Sequence, residues 1–451
     1  MERFFLPKNK INLEQITFNY GKSQIFHNLS AAFALSHCTI LTGPSGSGKS
    51  TLLKLIAGLY PKYQGQLVTG KVEVSLKKAM MFQDPSEQFT MPTPREEIIF
   101  SLENLQVSLA QYTSRLKKAV DFAELQTILD RKFTSLSGGE KQRAALGVLV
   151  AMDVDLFILD EPFASIDPLA RKFLIKKLLA LKSQGKTIIL SDHDLSGYDQ
   201  LCDHLFKVTS GQLQTLPLSK IGQADQEQGH FHFPLPRPET PPLFSGRNLE
   251  IKRQDKILIQ QQQLKLYAHK TTLITGANGS GKSSLFQVLS HLLPYSGHLS
   301  FQGKELAQLK PRKYLRQVGQ IFQNANDQFL AVTVQDELNL ALKHSRWNQQ
   351  ELQAALEQLR LKAHLQQIVY TLSGGQKKKL QILLMLLAGQ ETLLIDEPLS
   401  GLDADSIAVV LQMLQQKNKS LFIISHRLAQ LAPLCDFHLE LKERKLTYVQ
   451  N

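Results

Sequence analysis

The same ordered set of motifs occurs twice along this chain of 451 residues. The first set is Gly43-Pro44-Ser45-Gly46-Ser47-Gly48-Lys49-Ser50, Gln83, Leu136-Ser137-Gly138-Gly139-Glu140, Asp160-Glu161 and His193. The second is Gly276-Ala277-Asn278-Gly279-Ser280-Gly281-Lys282-Ser283, Gln323, Leu372-Ser373-Gly374-Gly375-Gln376, Asp396-Glu397 and His426. The lysines and the histidines lie 233 positions apart, the glutamines 240, and the serines of the third motif and the aspartates 236. Chance does not hold five motifs in that register, whereas tandem duplication of one domain does. The length suits two domains of roughly 200 residues each.

The domains are expected over residues 8–212 and 245–451. Between them, Phe233-Pro234-Leu235-Pro236-Arg237-Pro238 and Pro241-Pro242 read as a semi-rigid linker, 213–244, because proline removes backbone donors and favours extended chain. Each half alternates short apolar runs with helical stretches. Thr39-Ile40-Leu41-Thr42 leads into a glycine-rich loop and then a helix over 50–59. Leu156-Phe157-Ile158-Leu159 and Thr187-Ile188-Ile189-Leu190 are short, apolar and uncharged, the pattern of buried parallel strands. Leu273-Ile274-Thr275, Leu393-Leu394-Ile395 and Leu421-Phe422-Ile423-Ile424 repeat this. Helical regions are expected over 96–129 and 334–368. The reading is an α/β fold made twice.

Other features narrow the function class. No apolar run reaches the roughly 18 residues of a membrane span; the longest, Ile382 to Gly389, is short. The first residues carry no apolar secretion signal. Cys38, Cys202 and Cys435 are isolated, which argues for reduced thiols and against a metal or iron–sulfur role. The formal net charge of +12 fits nucleotides, nucleic acid or an anionic membrane surface, and equally a solvated surface.

Gly43 to Ser50 fits the P-loop pattern GxxxxGK[ST]. Its glycines Gly43, Gly46 and Gly48 let backbone N–H groups face phosphates, and the following helix adds the positive end of its dipole. Lys49 is expected on the β- and γ-phosphates and the Ser50 hydroxyl on Mg²⁺. Gly276, Gly279, Gly281, Lys282 and Ser283 repeat the arrangement. Asp160 and Asp396 end apolar strands, where a buried carboxylate calls for a cation such as Mg²⁺. Glu161 and Glu397 stand where a carboxylate can orient or deprotonate a water attacking the γ-phosphate. His193 and His426 follow the next strand and would hold that water and glutamate. Gln83 and Gln323 would sense the same phosphate and Mg²⁺. Against these readings stand a ligand-free glycine turn, a helix-capping Asp-Glu and a structural histidine; the ordered repetition favours the catalytic set.

Together these residues resemble the ATP-binding-cassette ATPases: Walker A, Q-loop, LSGGQ signature, Walker B, D-loop and H-switch all occur twice. The resemblance covers all but the linker. It implies two tandem P-loop NTPase nucleotide-binding domains, each with a RecA-like parallel sheet and a helical subdomain, using ATP and Mg²⁺. It also implies head-to-tail sites. One would join Lys49, Ser50, Thr51, Gln83, Asp160, Glu161 and His193 to Ser373, Gly374 and Gly375. The other would join Lys282, Ser283, Ser284, Gln323, Asp396, Glu397 and His426 to Ser137, Gly138 and Gly139. Asp167 and Asp403 match the D-loop aspartates. Tyr20, 23 residues before Gly43, matches the aromatic that stacks on adenine; the same offset before Gly276 falls on Arg253, which could stack by its guanidinium plane.

Phe82-Gln83-Asp84-Pro85-Ser86-Glu87-Gln88-Phe89 and Phe322-Gln323-Asn324-Ala325-Asn326-Asp327-Gln328-Phe329 share FQxxxxQF. This is similar to the ATPases of energy-coupling-factor importers for vitamins and transition-metal ions, with the fused layout of the thiamine-precursor type. That resemblance implies an integral-membrane T component docking near the Q-loops, a small substrate-binding S component, and a place at the cytoplasmic face of the membrane. A tandem cassette acting on the ribosome is the alternative from another class, though its usual linker is long, charged and helical. A sugar-importer ATPase is a third reading, usually with one degraded site. The gaps between Q-loop and signature are too short for the coiled coil of a DNA-repair cassette.

Overall fold

The apolar runs become strands because each must face hydrophobic packing on both sides. In the computed structural model, which describes all residues except 1–10, 22, 45, 164, 165, 167, 222–230, 238, 239, 255, 344, 346, 416–418 and 451, strands β6 (Leu156–Asp160) and β7 (Thr187–Ser191) are buried at every position. Phe157, Leu159, Ile188 and Leu190 enter one apolar cluster; Leu156, Ile158 and Ile189 enter another on the opposite face. A period of two with both faces covered favours an apolar run, and the buried polar residues Asp160, Thr187 and Ser191 fall at the strand ends.

The chain divides into two compact units, Met1–Glu227 and Gln228–Asn451. In the first unit, β1 (Ile11–Tyr20), β2 (Ser23–Phe33) and β4 (Gln66–Val74) form an antiparallel sheet in the order β2-β1-β4. The central sheet runs β5-β6-β7-β3-β8-β9, with β3 (Cys38–Thr42), β5 (Lys78–Met81), β8 (His204–Thr209) and β9 (Gln212–Leu216). Its pairs are parallel except the last. Helix α1 (Lys49–Ala57) follows β3. Helices α2 (Pro94–Asn104) and α3 (Leu109–Ala123) come before α4 (Gly138–Ala151), and α5 (Pro168–Ser183) follows β6.

The second unit repeats the plan. Strands β10 (Pro242–Arg253), β11 (Lys256–Tyr267), β13 (Ser296–Phe301) and β14 (Lys304–Glu305) make the antiparallel sheet. The central sheet orders β15 (Val318–Ile321), β16 (Thr392–Asp396), β17 (Ser420–Ile424), β12 (Thr271–Gly276), β18 (Phe437–Lys442) and β19 (Lys445–Tyr448). Its helices are α6 (Lys282–Leu289), α7 (Val334–Leu342), α8 (Gln349–Gln358), α9 (Gly374–Leu387) and α10 (Ala404–Gln415).

Two features were not legible in the motif reading. Each unit carries an antiparallel sheet whose strands come from both before and after its P-loop helix. The strands also run further than the expected domain bounds: β9 continues to Leu216, and β10 begins at Pro242. Phe233, inside the expected linker, is buried with its ring 5.3 Å from that of His438. Proline density marked the extended chain but could not reveal where that chain packs.

In both sheets the P-loop strand lies between strands reached from opposite sides: β3 between β7 and β8, β12 between β17 and β18. This is the switch point at which parallel sheets open a crevice at their carboxyl ends.

Candidate functional site: two phosphate loops and their polar clusters

Each P-loop leaves its strand through a glycine that no other residue can replace cheaply. A Cβ on Gly43 (φ +143°) would stand 2.4 Å from the carbonyl oxygen of Val208, and one on Gly276 (φ +146°) 2.5 Å from that of Leu441. Gly48 and Gly281 then start α1 and α6 in the left-handed region, with Phe26 and Leu258 crowding the missing Cβ at 2.9 Å. Gly46 and Gly279 have positive φ and open space around them.

Lys49, buried, donates to the carbonyls of Gly43 (2.8 Å) and Pro44 (3.1 Å). Lys282 donates likewise to Gly276 (2.7 Å) and Ala277 (2.9 Å). Both ammonium groups therefore sit inside the arch of their own loop. The hydroxyls of Ser47 and Ser280, also in the loops, are buried with no hydrogen-bond partner among the described residues. An orphan donor beside a fixed cation and a helix N-terminus suits phosphate oxygens.

The Walker B aspartates meet the P-loop serines. Asp160 Oδ1 accepts from Ser50 Oγ at 3.0 Å and from Ser191 Oγ at 2.7 Å. Ser283 bonds Asp396 in the same way. Burial raises the pKa of both carboxyls, and the hydroxyl bonds oppose that rise. A hydroxyl and a desolvated carboxylate in contact form a donor set of hard oxygens, the kind that suits Mg²⁺. The residues present thus fit the ion: Ser50 and Asp160 in one cassette, Ser283 and Asp396 in the other, with Gln83 and Gln323 as further oxygen donors.

The next residue is backbone-strained in both copies. Glu161 has φ +43° and Glu397 φ +49°, a conformation uncommon for a residue with a side chain. Backbone bonds hold it there: Glu161 N–H donates to Ser191 O (3.1 Å) and Glu397 N–H to Ile424 O (2.9 Å). The twist turns the carboxylate off the strand toward the Q-loop and switch histidine. Gln83 Nε2 donates to Glu161 Oε2 at 2.7 Å, and His193 Nε2 lies 2.5 Å from Glu161 Oε1.

The second cluster is built differently. Glu397 Oε2 accepts from Ser425 Oγ at 3.1 Å, while Oε1 has no hydrogen-bond partner among the described residues. His426 Nε2 is 3.7 Å from Glu397 and 2.8 Å from Asn278 Oδ1 of the P-loop. Burial, and the Asp396 charge beside it, push the Glu397 carboxyl up to about 7.

The switch histidine of the first cassette rests on an ion-pair network. Asp192 accepts from the His193 N–H (2.7 Å), Tyr198 Oη (2.6 Å) and Arg171 (3.1 Å). The Arg171 guanidinium lies 5.0 Å from the ring centres of both Phe163 and Tyr198. At the corresponding offsets the second cassette has Ser425, Leu431 and Ile407, and all three are buried. The network was replaced as a set.

Tyr20 and Arg253 stand at equivalent places in the two antiparallel sheets. Tyr20 pairs with Ser23 across the tip of the β1/β2 hairpin, and Arg253 pairs with Lys256 across the β10/β11 tip. Tyr20 forms an edge-on aromatic cluster with Phe18 and Tyr60, and its hydroxyl is 3.4 Å from Thr51 Oγ1. Burial pushes the phenol up to about 12. Ile251, Arg253 and Leu293 occupy the matching offsets, so the second hairpin presents no aromatic shelf. Ser284, the counterpart of Thr51, is buried.

The signature motifs explain themselves locally as capping boxes. Ser137 Oγ accepts the Glu140 N–H while Glu140 Oε2 accepts the Ser137 N–H (2.7 Å); Ser373 and Gln376 do the same. Among the described residues, neither serine bonds the P-loop group of its own cassette. A Cβ on Gly374 would meet nothing within 4 Å, so its own cassette does not require that glycine. Gly138, Gly139 and Gly375 fill the other helix-start positions. Asp403 accepts the Ser406 N–H at 2.8 Å, starting α10; Asp167 lies outside the described residues.

The FQxxxxQF motif has a structural explanation as well. Its second glutamine closes the Q-loop, since Gln88 Oε1 accepts the Phe82 N–H (3.1 Å) and Gln328 Oε1 the Phe322 N–H (3.4 Å). Glu97 Oε2 then accepts two backbone N–H groups, from Thr90 (2.8 Å) and Met91 (2.7 Å). Glu337 does so from Leu330 and Ala331.

Comparison with known proteins decides the family. The family described as "ABC transporter" matches residues 26–164 and 259–400, more than half the chain. The chain belongs to the ABC transporter family. It is an ATPase of that family with two cassettes. It is 29% identical to "Putative HMP/thiamine import ATP-binding protein YkoD" of Bacillus subtilis (strain 168), over 97% of this chain and 91% of that protein. It is 28% identical to a "Putative ABC transporter ATP-binding protein" of Treponema denticola, over 97% and 96%. Among solved structures it resembles the archaeal ribosome recycling factor aABCE1 in complex with stalk protein aP1, with TM-score 0.66, 19% identity, and 94% of this chain and 87% of that one covered. Likeness at that identity shows the shared fold of tandem-cassette ABC ATPases. Among the described residues, no helix of this ABC ATPase is long and apolar enough to cross a membrane.

Proposed function

We propose that this chain is the energy-coupling ATPase of a micronutrient importer, working at the cytoplasmic face of a membrane with an integral T component and a small S component. The substrate class is a vitamin, a vitamin precursor or a metal ion. The observation that carries the reading is an apolar patch beside the second Q-loop: Leu330 (87% exposed), Val332 (63%), Tyr370 (53%) and Ile368 (47%). The Thr333–Ile368 bridge and the Val369 N–H bond to Val332 O hold these residues together. Side chains of this size gain by burial against an apolar helix. The import named for the Bacillus relative points the same way.

At each ATP, the P-loop lysine and backbone would bind the phosphates. Glu161 or Glu397 would orient the attacking water and accept its proton, and His193 or His426 would hold that carboxylate in place. Mg²⁺, when bound, would neutralise charge on the phosphates. Signature residues Ser373, Gly374 and Gly375 would complete the site of Lys49, and Ser137, Gly138 and Gly139 that of Lys282. ATP binding would then favour a closed pair of cassettes and hydrolysis would release it.

The test is affinity purification of the tagged chain from its host's detergent-solubilised membranes, with mass spectrometry of the co-purified proteins. A large multi-span protein with a small multi-span protein is expected. Ribosomal subunits without a membrane protein would overturn the proposal. Leu330→Glu with Tyr370→Glu should release the membrane proteins while leaving ATP hydrolysis.

A further inference from the structure

The helix that carries the second signature motif bonds the second Q-loop through two side chains that the first cassette lacks. Lys378 is five residues after Ser373, and Gln381 eight; at the same distances after Ser137 stand Gln142 and Ala145. Lys378 is 3% exposed and its ammonium donates to three main-chain oxygens: Phe322 O at 3.1 Å, Gln323 O at 3.3 Å and Asp396 O at 3.2 Å. An ammonium has three N–H donors, so all three are satisfied. Gln381, fully buried, donates to Phe322 O at 2.9 Å and to Gln328 Oε1 at 2.8 Å. Gln142 is also buried, and its Oε1, like that of Gln381, has no partner among the described residues.

A buried lysine is costly unless every donor is used and a counter-charge is near. Here every donor is used, and although burial pushes the Lys378 ammonium down to about 8, the Asp396 and Glu397 carboxyls beside it oppose that fall. The Lys378 bonds go to backbone and not to side chains, so they fix where the chain runs. They join three segments that must keep register for hydrolysis: the Q-loop at Phe322–Gln323, the end of β16 at Asp396, and α9.

We propose that Lys378 and Gln381 form a polar clamp that positions the second Q-loop, and with it Gln323, against Asp396 and the signature helix, so that the backbone of the second Q-loop is the more firmly held of the two. In the first cassette the Q-loop glutamine is held, among the described residues, through its side chain by the Gln83–Glu161 bond, which nucleotide can compete for, and the signature helix reaches that loop through an exposed bond from Lys141 Nζ to Ser86 Oγ at 3.0 Å instead of through buried donors to backbone. Lys378 and Gln381 are positioning residues: neither is placed on substrate. The inference rests on the ATPase activity of the family and on the assignment of Glu161 and Glu397, not on the transported substrate.

The test uses the full chain with the first site silenced by Glu161→Gln. Lys378→Met should lower kcat about tenfold while the ATP KM moves by less than about twofold, the pattern of misplacement without lost ground-state binding. Hydrogen exchange at residues 322–329 should rise several-fold, with β16 and α7 protected as before. Lys378→Arg, which keeps the charge and donors, should recover most of kcat. Should Lys378→Met fail to fold, Lys378→Gln supplies the residue the first cassette carries at that place, and the same readouts apply. Unchanged kcat with unchanged Q-loop exchange would overturn the clamp; so would a lower melting temperature with unchanged Q-loop exchange. If the Glu161→Gln, Glu397→Gln double variant still hydrolysed ATP, the glutamate assignment would fall, and the exchange measurement would still decide the clamp.

Discussion

His193 Nε2 stands 2.5 Å from Glu161 Oε1, so the first cassette holds its candidate base and its switch histidine as one unit. In the second cassette the histidine turns to Asn278 of the P-loop, and Glu397 rests on Ser425. The same motif letters therefore build two differently wired clusters.

Glu161→Gln and Glu397→Gln should each remove hydrolysis at one site, about a hundredfold or more per site. Because the wiring differs, the two single variants should leave unequal ATPase rates. Steady-state rates at saturating ATP check this, and equal residual rates would refute functional asymmetry.

The Asp192 network should matter for stability as well as for His193. Arg171→Ala leaves a buried carboxylate without its cation and should cost about 3 kcal/mol. Tyr198→Phe removes one hydrogen bond to that carboxylate and should cost about 1–2 kcal/mol. Denaturant melts measure both. Ile407 and Leu431, in the second cassette, should tolerate change to valine and isoleucine at about 1 kcal/mol each.

Nucleotide affinity should respond unequally at the two hairpin tips. Tyr20→Ala should weaken ATP binding at its site about fivefold, the equivalent of about 1 kcal/mol from a lost aromatic stack. Arg253→Ala should weaken its own site less. Titration of single-site variants with ATP separates the two, and a larger loss for Arg253→Ala would show that its guanidinium does the stacking.

The cysteines should be inert in the native protein. Burial pushes Cys202 up to about 11 and Cys435 up to about 12, and Cys38, fully buried, is raised as well. At pH 8 roughly one Cys202 in a thousand is thiolate. Maleimide labelling should be slow on the folded chain at that pH and reach all three thiols in denaturant. Fast labelling of native Cys38 or Cys202 would contradict the packing around β3, and fast labelling of Cys435 the packing before β18.

Removing both phosphate-loop lysines tests coupling. Lys49→Ala with Lys282→Ala should abolish ATP-driven uptake into cells or vesicles while the membrane proteins still co-purify. Uptake that persisted in the double variant would sink the importer reading.

Much of this was legible in the order of motifs. P-loop chemistry depends on backbone N–H groups, one lysine and one hydroxyl at fixed spacing, and a strand buried on both faces admits only an apolar run. Gly43, Lys49, Ser50 and Asp160 therefore announce their places, as do Gly276, Lys282, Ser283 and Asp396. The run Lys377-Lys378-Lys379 differs from Lys141-Gln142-Arg143, but spacing alone does not say where an ammonium points.

Two cassettes, the phosphate loops, the paired carboxylates and the offset that sets Arg253 against Tyr20 were readable from the linear chain, because each follows from local spacing along it. The left-handed backbone at Glu161 and Glu397, the Asp192–Arg171–Tyr198 network and the Lys378 contacts became visible in the folded chain alone. Each of these needs groups from distant segments to meet in space, and the energy that fixes them comes from burial and hydrogen bonding that no linear pattern encodes.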